Sequence, residues 1–92
     1  MDMKRYHKDV ESMQRRLPGC IDDPGSSTGR ALVKNFQKLE DEVQVGRTGA
    51  TIQNRLKTIR SLVKKAVNEK VMSHGDADNY EDWINDSLRK IR

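Results

Sequence analysis

Side chains equipped for chemistry are few in this chain, and most of them fall in one stretch. Gln53, Asn54, Arg55, Lys57, Arg60, Lys64 and Lys65 lie between residues 53 and 65. Their amides and guanidinium groups can read hydrogen-bonding edges, and their ammonium groups can meet carboxylates or phosphates. The machinery of catalysis is thin by comparison. His7 and His74 are far apart in sequence and form no His-x-x-x-His pair, and Cys20 is the sole cysteine. No metal-ligand spacing, thiol pair or cofactor motif follows from them, so neither a metal, a cofactor nor an enzymatic activity is expected. Cys20 and His7 as nucleophile and base would need a motif that is not there. The run from Gly25 to Arg30 lacks the Gly-Lys-Ser/Thr ending of a phosphate loop and follows no strand pattern. Asp22-Asp23 and Glu40-Asp41-Glu42 read as turn and solvated-face residues.

The basic stretch needs a scaffold, and its own periodicity provides one. Ile52, Leu56, Ile59, Val63, Ala66 and Val67 recur at spacings near three and four, one stripe of a 3.6-residue helix. Gln53, Lys57, Arg60, Ser61, Lys64 and Asn68 fall on the other side, so the helix is amphipathic with a basic solvent face. Gly49 to Ser73 is its expected span, with Thr48 as its cap and Gly75 as its stop.

Three further stripes could cover the apolar side. Met3, Tyr6, Val10, Met13 and Leu17 predict a helix over residues 2–17, ended by Pro18 and Gly19. Leu32, Phe36, Leu39 and Val43 predict a second over residues 29–45, capped by Ser27 or Thr28 and closed by Gly46. Tyr80, Trp83, Ile84, Leu88 and Ile91 predict a last helix, with Asp78 and Glu81 spaced as a capping box. Pro18 to Thr28, rich in Pro, Gly, Ser and Asp, is the only linker. The expected fold is therefore all-α, a small irregular bundle of four helices organised around a long third helix, as a single domain over residues 1–92.

With 92 residues, 34% hydrophobic and 35% charged, the chain can build a thin core between helices but hardly a broad catalytic cavity. No run approaches the roughly 18 apolar residues of a membrane span, and no secretory leader pattern opens the sequence. A lone cysteine also suits a reducing compartment, so a cytoplasmic protein without a membrane partner is expected. Formal charge is +4, and it is unevenly spread: residues 47–70 carry seven Lys or Arg against one acid, whereas residues 17–46 and 71–92 are each net acidic. Acidic neighbours in an antiparallel bundle could neutralise part of the basic helix.

Val45 to Ile59, with its Val-Gly-Arg-Thr-Gly-Ala-Thr-Ile opening, resembles the turn and recognition helix of bacterial helix-turn-helix regulators. The resemblance implies a DNA-binding segment at residues 39–60 in which Gln53, Asn54 and Arg55 read base edges while Lys57 or Arg60 meets phosphates. Arg47, Asp41 and Glu42 depart from that pattern, standing where it places apolar or small residues, and no wing strands follow. The first expectation is accordingly a non-enzymatic helical protein-binding module, an adaptor, regulator or inhibitor that sets its basic face against an acidic protein surface. DNA binding is the alternative. A homodimer is also expected should four thin stripes exceed what one small chain can bury.

Overall fold

The computed structural model describes residues 2–91, and among these there are four helices and no strand: α1 (Met3–Cys20), α2 (Ser27–Gln44), α3 (Gly49–Asn68) and α4 (His74–Lys90). Each apolar stripe is the buried face of its helix. Tyr6, Val10, Met13 and Leu17 of α1 meet Leu32, Phe36, Leu39 and Val43 of α2, Ile52, Leu56, Ile59, Val63 and Ala66 of α3, and Ala77, Tyr80 and Ile84 of α4 in one continuous core. Consecutive helices pack side by side, α2 on α3 most extensively, within a body of 34 × 20 × 19 Å. Among the described residues no helix is long and apolar enough to cross a membrane.

The ring is closed by aromatic side chains. Tyr6 of α1 stacks on Trp83 of α4 with centroids 5.8 Å apart, Trp83 lies 6.2 Å from Phe36 of α2, and Phe36 meets Tyr80 edge-on at 5.6 Å. All four aromatic residues of the chain therefore sit in one cluster joining three helices. The buried Tyr80 hydroxyl donates to the Met13 carbonyl at 2.7 Å, so α4 is tied to α1 by a directional bond as well as by area.

Helix ends differ from the sequence expectations in four places, each with a local cause. α1 passes through Pro18 and ends at Cys20. The missing N–H costs one hydrogen bond in an exposed last turn, and burial of Leu17 and then Ile21 keeps the chain coiled past it. The linker consequently shrinks to residues 21–26, pinned where Asp22 N–H donates to Val71 O at 2.7 Å. Ser26, not Ser27 or Thr28, caps α2 by accepting from Gly29 N–H at 2.9 Å. Thr28 is buried and instead donates to Glu69 at 2.5 Å, joining the start of α2 to the end of α3.

α3 stops at Asn68 because Lys70 adopts φ 60°, letting Lys70 and Val71 N–H return to Val67 and Ala66 carbonyls at 3.1 and 2.8 Å. That pair of bonds is a Schellman ending on a non-glycine residue. α4 then begins early, capped by Ser73, which accepts from Asp76 N–H at 3.3 Å, so Gly75 lies in its first turn and Asp78 is no cap. Two expectations hold at the α2–α3 corner. Gly46, at φ 73°, ends α2 with the same paired bonds to Val43 and Glu42, and Thr48 caps α3.

Candidate partner-binding face

The outward side of α3 has a simple composition: between Gly49 and Asn68 there is no Asp or Glu, and there are five Lys or Arg. Its core positions, from Ile52 to Ala66, point Asn54, Lys57, Ser61, Lys64 and Lys65 away from the bundle, and all five are exposed. Gln53, Arg55 and Arg60 occupy its flanks and are half-buried.

The flanking residues are committed to the fold. Arg55 Nε donates to Glu42 Oε1 at 2.9 Å and its Nη1 to Asn35 Oδ1 at 2.8 Å, which fastens α3 to α2. On the other flank, Arg60 Nη1 donates to Asn85 Oδ1 at 2.8 Å and Gln53 donates its amide to the Ile91 carbonyl, both across to the α4 side. Of the three side chains that the helix-turn-helix resemblance assigns to base edges, only Asn54 is free of such bonds among the described residues. Single-sequence periodicity places Arg55 and Gln53 beside the basic face but gives no sign of their partners, because those lie on other helices.

Acidic residues screen the face only at its edges. Arg55 has Glu42, and Lys65 approaches Glu69 at 4.0 Å within the same helical end. Among the described residues no carboxylate lies within ion-pairing distance of Lys57, Lys64 or Arg60; α4 offers Arg60 a neutral amide. The acid of α4 that does pair, Asp86, is held by its own helix: Lys90 at 2.9 Å and Arg89 at 3.1 Å, the Lys90 hydrogen bond foremost in keeping its carboxyl below the ordinary range. Exposed ion pairs of this kind contribute little to stability.

Apolar surface is scarce on the outside. Val45, at the α2–α3 corner, is the one large hydrophobic side chain that is exposed among the described residues. The four stripes thus satisfy one another within a single chain. A shallow groove of about 540 Å³ is lined by the apolar side chains of Pro18, Ile21, Pro24 and Val33 together with Arg30 and Lys34.

The Cys20 thiol and the His7 imidazole stand apart in the fold. Cys20 is half-buried at the end of α1, where burial first and then the charge of Asp76 push its thiol up, the opposite of nucleophile activation. His7 stands thirteen residues earlier on the same helix, about 20 Å away at 1.5 Å per residue, so the two cannot act together. Tyr6 and Tyr80 are held protonated, chiefly by burial, Tyr6 to about 12. His7 lies between Glu11 and Glu40, a grouping that sequence reading missed because Glu40 arrives from another helix. Comparison with family models, with curated proteins and with solved structures returns no match.

Proposed function

We propose that the protein is a non-enzymatic helical binding module that sets the outer face of α3 against an acidic protein surface, working in the cytoplasm as an adaptor, regulator or inhibitor. One observation carries this reading: α3 has no acid along its length, and Lys57 and Lys64 are exposed with no carboxylate within ion-pairing distance among the described residues. Cations left unpaired by the fold raise the local concentration of an acidic partner and speed encounter, while Asn54, Ser61 and Asn68 between them supply neutral hydrogen-bonding groups. With no aromatic anchor on this face, such a complex would be strongly salt-dependent and held by many small contributions.

DNA is the second reading, favoured by the same charge and by the likeness of residues 45–59 to a helix-turn-helix. It ranks lower because Arg55 and Gln53 would have to break bonds to Glu42, Asn35 and Ile91 before they could reach a base edge. The experiment compares wild type with a Lys57→Glu/Lys64→Glu double variant, first in affinity capture of acidic proteins and then against random duplex at low and physiological salt. Capture that is lost in the double variant, with duplex bound weakly and without preference, is the expected outcome. Sequence-selective duplex retention at physiological salt would reverse the ranking.

A further inference from the structure

His7, Glu11 and Glu40 converge where α1 packs on α2. One donor atom from each lies within 4.8 Å of the other two, and all three side chains are between 23% and 37% exposed. The imidazole sits against its first carboxylate: His7 Nδ1 stands 2.9 Å from Glu11 Oε1, one helical turn on, which leaves Nε2 as the ring nitrogen nearer the second. That Nε2 is shut off from solvent and has no hydrogen-bond partner. It faces Glu40 Oε1 at 3.8 Å, too far for a hydrogen bond. Two donors each about 2.1 Å from a metal ion stand roughly 3 to 4.2 Å apart, so the spacing that is wrong for a direct bond suits an ion between them.

We propose that His7 Nε2 and Glu40 bind a divalent first-row transition ion, zinc being the best match, with Glu11 orienting the imidazole and able to add a carboxylate oxygen. A mixed imidazole and carboxylate set suits zinc and its neighbours better than magnesium or calcium, which take oxygen ligands alone. Two carboxylates also balance the charge of the ion. A carboxylate hydrogen-bonded to the non-ligating nitrogen is the usual support for a metal-bound histidine. A depression of about 290 Å³, lined by Glu11, Gln14, Arg15 and Glu40, adjoins the two carboxylates and is the side from which water would reach the ion. Among the described residues Arg15 is the one Lys or Arg in ion-pair contact, its Nη2 3.7 Å from Glu11 Oε2, and it competes for Glu11 but not for Glu40. Metal here would clip α1 to α2 at the end of the bundle opposite Cys20. Sequence spacing hides the site because the ligands are i, i+4 on one helix and a residue 29 positions later on another.

The test is a zinc titration of the tag-free chain by calorimetry and by thermal melting, with free zinc up to about 1 mM. Wild type should bind one ion and melt at higher temperature with zinc present, since an ion that binds only the folded state stabilises it. His7→Gln and Glu40→Gln should each weaken binding by about tenfold or more. Both should keep the helical circular dichroism of wild type, because neither residue is in the core. His74→Ala and Cys20→Ser should bind as wild type does. No saturable binding in wild type, or binding that survives His7→Gln and Glu40→Gln but falls in His74→Ala or Cys20→Ser, would overturn the proposal.

Discussion

Arg55 and Lys57 are two residues apart, carry the same charge, and do different work. Arg55 is tied to Glu42 and Asn35 across the α2–α3 contact, whereas Lys57 stands in solvent. Arg55→Ala should therefore lower stability by about 1 to 3 kcal/mol, because a half-buried Glu42 loses its partner. Lys57→Ala should stay within about 0.5 kcal/mol, its effect appearing instead in partner binding. Urea denaturation of the two variants separates them; equal losses would mean that the Arg55 contacts contribute nothing. Leu56, between them and fully buried, belongs to a third class. Leu56→Ala is expected to cost on the order of 2 to 5 kcal/mol through the cavity it leaves, enough to unfold a domain of this size.

At the level of helices, the ends are where packing overrode local signals. Gly29 is the first example: a Cβ there would lie 2.9 Å from the Asp23 carbonyl oxygen and from Ser26 Oγ, and 3.1 Å from Ile21. Gly29→Ala should destabilise by about 1 to 3 kcal/mol even though alanine is the better helix former, because the α1–α2 loop is backbone and must move. An unchanged melting temperature would show that the loop yields freely. Lys70 is the mirror case. It holds a left-handed conformation that glycine adopts without steric cost, so Lys70→Gly should raise stability by about 0.5 to 1 kcal/mol while keeping the Schellman bonds to Val67 and Ala66. A loss of stability on that substitution would count against this account of why α3 ends at Asn68.

The molecule as a whole depends on an aromatic cluster whose hydroxyls must stay neutral. Tyr6 and Tyr80 are both buried, and both resist ionisation in the folded state, Tyr6 up to about 12. An unfolded tyrosine titrates near 10, so between about pH 10 and 12 the unfolded chain loses a proton that the folded chain keeps. Stability is then complete below about pH 10 and falls as pH rises through that window, by on the order of 2 kcal/mol for Tyr6 alone. Denaturant midpoints measured from pH 8 to 12 check the sign: the Tyr6→Phe variant should show a shallower decline than wild type. Charge is the other whole-molecule property. Residues 47–70 are strongly basic, and among the described residues Lys57 and Lys64 have no carboxylate within ion-pairing distance, so binding through this face should weaken steeply with added salt.

Four stripes at helical spacing determined four helices, and every core position assigned from them is buried or packed against the core, from Tyr6 to Ile91. This much is local: a 3.6-residue period puts apolar side chains on one side whatever the neighbours are, and the only economical cover for one stripe is another. The corner at Gly46 and Thr48 was legible for a similar reason, since positive φ and an unpaired N–H are needs of the residues at that turn. What tertiary structure decided were the contacts between helices. Pro18, Thr28 and Gly75 carry strong local signals that were outvoted by burial of Leu17 and Ile21, by the bond from Thr28 to Glu69, and by capping from Ser73. The candidate face shows the same division. Its charge and register could be read from residues 49–68, but that Arg55, Gln53 and Arg60 are spent on Glu42, Ile91 and Asn85 while Lys57 and Lys64 stay free depends on residues 13, 38 and 25 positions away, and likewise Glu40 beside His7. Periodicity fixes a side chain's direction about its own helix axis; only the packing of helices determines what it meets.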